Sequence, residues 1–133
     1  MTPEIDIVAE AIKARSAAQA PYSNFQVGAA LQTLEGTVIL GANVESASYG
    51  LSCCAERVAI FKAVTDGHLD FQKLAIASEG GAAPCGACRQ IIAEYAPDTE
   101  IILIDTQSLN APRTTRIDAL LPDAFAGNSL PSN

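Results

Sequence analysis

The chain has 133 residues, 49% of them hydrophobic and 17% charged, which suits one globular domain over 1–133 that buries roughly two thirds of its unfolded surface. No apolar run approaches the roughly 20 residues needed to cross a bilayer, and the opening MTPEIDIVAE carries acids where a secretion signal carries Lys or Arg, so a cytoplasmic protein with no membrane partner is expected. Eight basic residues against fifteen acidic ones give a net charge of −7, which repels nucleic acid and favours a small or weakly charged substrate.

The first segment, PEIDIVAEAIKARSAAQA, sets Ile5, Val8, Ala9 and Ile12 at helical spacing, with Pro3 at its start and acids ahead of Lys13 and Arg15. It predicts an amphipathic helix. After Pro21, FQVGAALQT and TVILGANVE are strand-like runs joined by LEG, which predicts a hairpin. Residues Glu56 to Val64 are apolar almost all the way round and predict a largely buried helix. KLAIAS and EIILID then read as buried strands on either side of a third helix, running from near Pro84 to Tyr95 and stopped before Pro97. A strand, helix and strand with short connections imply a right-handed crossover and a partly parallel sheet. The predicted class is α/β, a hairpin feeding a mixed sheet with helices on its faces. The tail AGNSLPSN reads as loosely ordered.

His68, the single histidine, lies in the turn-like DGHLD and reads as an exposed bystander. Its position removes Ser-His-Asp and Cys-His mechanisms. The four cysteines, Cys53, Cys54, Cys85 and Cys88, point to metal binding or catalysis in a chain without a secretion signal. PCGACRQII places a CxxC where a strand gives way to a helix, and residues three apart share one helix face. Alone, that motif fits a redox dithiol, half of a structural zinc site or two buried thiols equally well. The second cluster, CCAER, also stands where a loop meets a helix, so two helix starts can face one metal.

Adjacent helical residues diverge by about 100°, so Cys53 and Cys54 are not expected to share an ion. Three thiolates and one open position remain, which is the arrangement of catalytic rather than structural zinc. Glu56, a carboxylate in an apolar segment, is the best-placed proton carrier, the alternative being a first-turn acid that serves the helix dipole. Residues two apart on a regular helix point nearly opposite ways, so Cys54 must stand at or before the helix start. Zinc and three thiolates sum to −1, and Arg57 is placed to donate to a ligating sulfur and offset that charge. Arg89, beside Cys88, fits either the same role or a solvated surface.

CxE followed by PCxxC resembles the zinc deaminases of nucleosides and bases. APYSNFQVGAAL, GANVESASYG, CAERVAIFKAV, PCGACRQ and LLPDAF, in that order, narrow the resemblance to the small cytidine deaminases and span nearly the whole chain. The resemblance implies a three-layer α/β/α fold around about five strands, and one Zn2+ per subunit held by Cys54, Cys85 and Cys88. It implies that Glu56 shuttles protons between water, the pyrimidine ring and the departing amine, in the hydrolysis of cytidine or 2′-deoxycytidine to the uracil nucleoside and ammonia for pyrimidine salvage. It also implies that Asn43 and Glu45 hydrogen-bond the ribose, that Phe25 packs on the base, and that the backbone near Ala55 touches the ring. In a homotetramer of this kind, Phe125 and Tyr49 would cross subunit interfaces to complete each site. Cys53 departs from the family pattern and reads as a spare buried thiol.

Four other readings compete, one of them a nucleotide deaminase, which would need a cationic phosphate site that the sequence does not show. Another is a deaminase of a modified cytosine nucleoside such as blasticidin S, against which the ribose-binding look of NVES argues. A deaminase of nucleic acid usually carries a His in the first cluster and a basic groove, and this chain has neither. A non-catalytic zinc domain would close its site with a fourth protein ligand and give Glu56 no role.

Overall fold

The computed structural model describes residues 6–126. A five-stranded sheet has the order β2-β1-β3-β4-β5, built from β1 Gly28–Thr33, β2 Val38–Ala42, β3 Phe71–Ser78, β4 Glu100–Asp105 and β5 Arg113–Arg116. β1 is antiparallel to β2 and β3, β3 is parallel to β4, and β4 is antiparallel to β5. The expected hairpin and the partly parallel sheet are both present. The helices are α1 Ile7–Ala14, α2 Ala55–Thr65, α3 Gly86–Tyr95 and α4 Ile117–Leu120. No helix among the described residues is long and apolar enough to cross a membrane.

The strands that read as unbroken apolar runs do so because both of their faces are covered. Leu74, Ile76, Ile101 and Leu103 face α2 and α3 in one core with Ala59, Ile60 and Ile92. The alternating residues Ala75, Ala77, Ile102 and Ile104 face Ile7 and Ala11 of α1 in the other. This gives the three-layer α/β/α arrangement. α2 buries a stripe of Ala55, Ala59 and Ala63, whose small side chains let the helix lie close to the sheet. β2 answers with Gly41, where a Cβ would stand 2.5 Å from the Ala55 carbonyl oxygen and 2.5 Å from the Ala59 nitrogen.

Several expectations change. The regular part of the first helix is Ile7–Ala14, capped by the Asp6 carboxylate on the Ala9 N–H at 3.1 Å, and Arg15–Ala17 tightens into a 3₁₀ turn. Pro3 and Ile5, and all but the first residue of the tail AGNSLPSN, lie outside the described residues. α2 is less buried than its composition predicts, because Phe61 is 41% exposed and only one face meets the sheet. Pro84 precedes the cap of α3 rather than opening its first turn, since Cys85 is the extended N-cap residue. His68 is half-buried at the end of α2, where its backbone N–H donates to the Ala63 carbonyl at 2.9 Å. β5 and α4 carry no apolar periodicity in RTTRIDAL strong enough to have announced them.

The close approach at Gly41 generates a test. Gly41→Ala should lower Tm by about 5–10 °C, since overpacking at such a contact costs about 1–3 kcal/mol. A Tm within about 1 °C of the parent in a thermal scan would show that α2 is not held by this contact.

Candidate metal and nucleoside site

The sheet brings the functional segments to one edge. Gly28 pairs with Ala42 on one side and Ala77 on the other, so the start of β1, the end of β2 and the end of β3 lie together. Phe25 and Val27 immediately precede β1, Asn43 follows β2, and the loop after β3 leads to Cys85. Ligands of open α/β sheets bind at such a carboxyl edge of parallel strands.

Cys54 caps α2 with extended backbone, φ −72° and ψ 155°, which resolves the difficulty of pointing Cys54 and Glu56 the same way. Cys85 caps α3 in the same fashion, φ −68° and ψ 171°, and Cys88 stands one turn on. The sulfurs of Cys54 and Cys85 are 3.6 Å apart and those of Cys85 and Cys88 3.4 Å apart, all three lying within 4.8 Å of one another. A tetrahedral zinc with Zn–S of about 2.3 Å needs sulfurs about 3.8 Å apart, so the set fits the ion. Among the described residues no fourth side chain joins the cluster at that distance. No disulfide joins any of the four cysteines.

The surroundings suit a cluster that gains negative charge. Two helix N-termini present N–H groups to it, and Arg57 Nη2 donates to Cys54 Sγ at 3.7 Å. Arg57 Nε is buried with no hydrogen-bond partner among the described residues, leaving a further donor in the same guanidinium. The neighbouring Cys88 thiol, together with Arg57 and Cys85, pushes the Cys54 thiol down to about 5. Cys88 is pushed up for the converse reason and by its burial. Burial likewise raises Cys53, whose backbone pairs with Val44 in both directions at 2.8 and 2.9 Å.

Glu56 is 4% exposed and is the one buried acid among the described residues. Burial raises its carboxyl, with the neighbouring Cys54 charge adding to the effect. It lines a cavity of about 200 Å³ together with Cys54, Cys85, Ala55, Phe25 and Asn43. Six of the expected site residues are thus brought together. Glu45 and Tyr49 line a different cavity of about 250 Å³ with Tyr22 and Ser23, and Phe125 lines neither of these two.

Asn43 and Glu45 both grip the loop that carries Phe25. Asn43 Nδ2 donates to the Phe25 carbonyl at 2.8 Å and its Oδ1 accepts from Val27 N at 2.9 Å. Glu45 Oε1 accepts from the backbone of Tyr22 at 3.0 Å and Ser23 at 3.1 Å, and Oε2 accepts from the Ser23 hydroxyl. Sequence reasoning passed over the far wall of the first cavity, Ile76, Ala82 and Ala83. Its signal was the run GGAAPC: Gly80 and Gly81 take φ of 87° and 63°, and the buried Ser78 hydroxyl accepts from Ala82 N at 3.0 Å to fold the loop back. Arg89, for its part, touches no sulfur in its hydrogen bonds, which run to the Pro84 and Leu120 carbonyls.

The family described as the cytidine and deoxycytidylate deaminase zinc-binding region matches residues 1–104. The chain belongs to this deaminase family. Its curated relatives include the cytidine deaminase of Halalkalibacterium halodurans, 46% identical over 93% of this chain and 95% of that one. That of Sporosarcina psychrophila is 44% identical over 93% and 92% of the two chains. The crystal structure of cytidine deaminase from Burkholderia pseudomallei superposes with a TM-score of 0.86 at 48% identity, covering 94% of this chain and all of that one. Family and sulfur geometry together make the deaminase a hydrolytic zinc enzyme. The open, three-ligand cluster beside a buried Glu is what the non-catalytic zinc reading did not predict.

The Glu45 latch yields a pH expectation. The Ser23 hydroxyl, with the two backbone donors, holds the Glu45 carboxyl below its ordinary 4.5, so the latch is fully made above that value and is lost only as pH falls through the lower, folded one. At pH 7, Glu45→Ala should therefore speed amide exchange at Tyr22 and Ser23, read residue by residue by NMR, and leave α1 and β3 unchanged. Equal exchange at both amides would show that the latch does not hold the loop.

Proposed function

We propose that the protein deaminates cytidine and 2′-deoxycytidine hydrolytically, giving uridine and 2′-deoxyuridine with release of ammonia, in cytoplasmic pyrimidine salvage. The observation that carries this reading is the buried Glu56 sharing one base-sized cavity with Cys54, Cys85, Phe25 and Asn43. The names of the relatives support the choice of nucleoside, and the net charge of −7 supports a small-molecule partner over nucleic acid.

Cys54, Cys85 and Cys88 would hold the zinc, which when bound acts as a Lewis acid that brings water within reach of neutral-pH nucleophilicity. Glu56 carries the protons. Its raised carboxyl accepts one from the attacking water and delivers it to the pyrimidine ring nitrogen, then serves the exocyclic amine as it leaves as ammonia. Phe25 packs against the base, and the backbone at Ala55, in the first turn of α2, touches the ring. Asn43 and Glu45 take the ribose hydroxyls, the neighbouring cavity of Tyr22, Ser23 and Glu45 giving the sugar room. Arg57 offsets the −1 charge of zinc with three thiolates through Cys54.

The enzyme works as a homotetramer with shared sites, to which Tyr49 and Phe125 are contributed from neighbouring subunits. In support of this, Tyr49 is 80% exposed and Phe125 57% exposed, and Phe125 lies outside the wall of its own chain's base cavity.

Ammonia release should be followed with cytidine, deoxycytidine, cytosine, cytidine monophosphate, adenosine and blasticidin S. Turnover is expected with the first two alone, and turnover with blasticidin S instead would transfer the protein to the other nucleoside class. In the same assay Glu56→Gln should lose about 10²–10⁴-fold in kcat while keeping its zinc and its Tm. Normal turnover by that variant would remove Glu56 from the mechanism.

The shared site has its own test. Mixed tetramers of Glu56→Gln and Phe125→Ala subunits should recover activity that neither variant has alone, because some sites then combine an intact Glu56 with an intact Phe125. Absence of rescue in tetramers verified as mixed by mass spectrometry would place Phe125 in its own subunit.

A further inference from the structure

Arg89 follows a metal-ligating cysteine directly in sequence, yet its guanidinium is committed elsewhere. Nε donates to the Pro84 carbonyl at 2.7 Å, and the backbone N–H of the same residue donates to the Cys85 carbonyl at 2.9 Å. The side chain thereby holds the peptide unit before the Cys85 Cα, and the ordinary helical bond of α3 holds the one after it. Nη1 reaches in another direction and donates to the Leu120 carbonyl at the end of α4, 2.8 Å away. From there Leu120 and Leu121 pack against the core and the chain runs on to Phe125, whose carbonyl accepts from the side chain of Gln90.

We propose that Arg89 is a positioning residue that locks the Cys85 loop and the C-terminal segment to each other, so that the metal-ligand geometry of one site and the placement of Phe125 are set together. The inference rests on the reading of Cys85 as a zinc ligand and of Phe125 as part of a site. The planar fork of arginine is what allows both carbonyls to be held at once, whereas a lysine offers a single nitrogen on a flexible stem. Partners that orient a metal ligand without touching the metal change affinity by about 10–100-fold when removed.

The test compares zinc-loaded parent, Arg89→Lys, Arg89→Gln and Gln90→Leu proteins in three measurements. These are zinc transfer to a chromogenic chelator, the thiolate-to-metal absorption bands after cobalt replaces zinc, and limited proteolysis across 117–126 read by mass spectrometry. Both Arg89 variants should release zinc about 10-fold faster or more, shift the cobalt bands and be cut sooner in that segment. Gln90→Leu should be cut sooner while zinc release and cobalt bands stay as in the parent. Arg89 variants with parental zinc release and cobalt bands, or with parental cleavage, overturn the proposal. A parent protein that takes up no zinc would overturn the metal reading itself and this inference with it. Should neither Arg89 variant fold, hydrogen exchange of the parent decides: exchange across 117–126 should quicken when zinc is removed, and identical exchange with and without zinc overturns the coupling.

Discussion

Three cysteine sulfurs within 4.8 Å of one another, half sheltered from water, form a cluster that resists ionisation unless the protein compensates it. The compensation here is architectural. The N-termini of α2 and α3 converge on the cluster with their N–H groups and positive dipole ends, and the Arg57 guanidinium lies against Cys54. The convergence depends in turn on the sheet. α2 reaches its place because Gly41 lets it approach β2, and α3 reaches its place because the loop after β3 folds back through Ser78 and two glycines.

The same compensation explains why a carboxylic acid tolerates burial beside the sulfurs. Glu56 loses hydration at 4% exposure and sits near a thiol that ionises readily, and both effects favour its protonated form. A carboxyl poised in this way suits repeated gain and loss of a proton, whereas an exposed first-turn acid would remain ionised. The Glu56 carboxyl and the Cys54 sulfur therefore share one charge balance, set by Cys54 at the N-cap of α2 and by Glu56 and Arg57 in its first turn.

Around this centre the walls are built from segments distant in sequence and tied by hydrogen bonds to backbone. Asn43 and Glu45, alternate residues past the end of β2, hold the loop that carries Phe25. Carboxylate and amide groups that already bond to backbone donors and acceptors are oriented before any ligand arrives, which lowers the cost of ordering them later. On the other side, Arg89 and Gln90 tie α3 to the C-terminal segment. The site is thus one corner of the domain in which every wall is fastened to the helix or strand that carries chemistry.

Much of this was legible in the residues. The apolar runs of β3 and β4, the hairpin, and the two helices opening at cysteines followed from periodicity and turn chemistry, and the demand that Cys54 lie outside the helix followed from helical geometry alone. CxE with PCxxC singled out Cys54, Cys85 and Cys88, and the folded chain gathers those three sulfurs within 4.8 Å of one another. The tertiary structure alone decided what pairing and packing control. It split the expected nucleoside contacts between two cavities, turned Arg89 from a possible sulfur partner into a bridge between carbonyls, and left Phe61 at the surface of a helix whose composition suggested burial. β5 and α4 could not be foreseen because RTTRIDAL has no periodicity of its own; an edge strand is specified by the neighbour it pairs with, here β4, and only the folded chain supplies that neighbour.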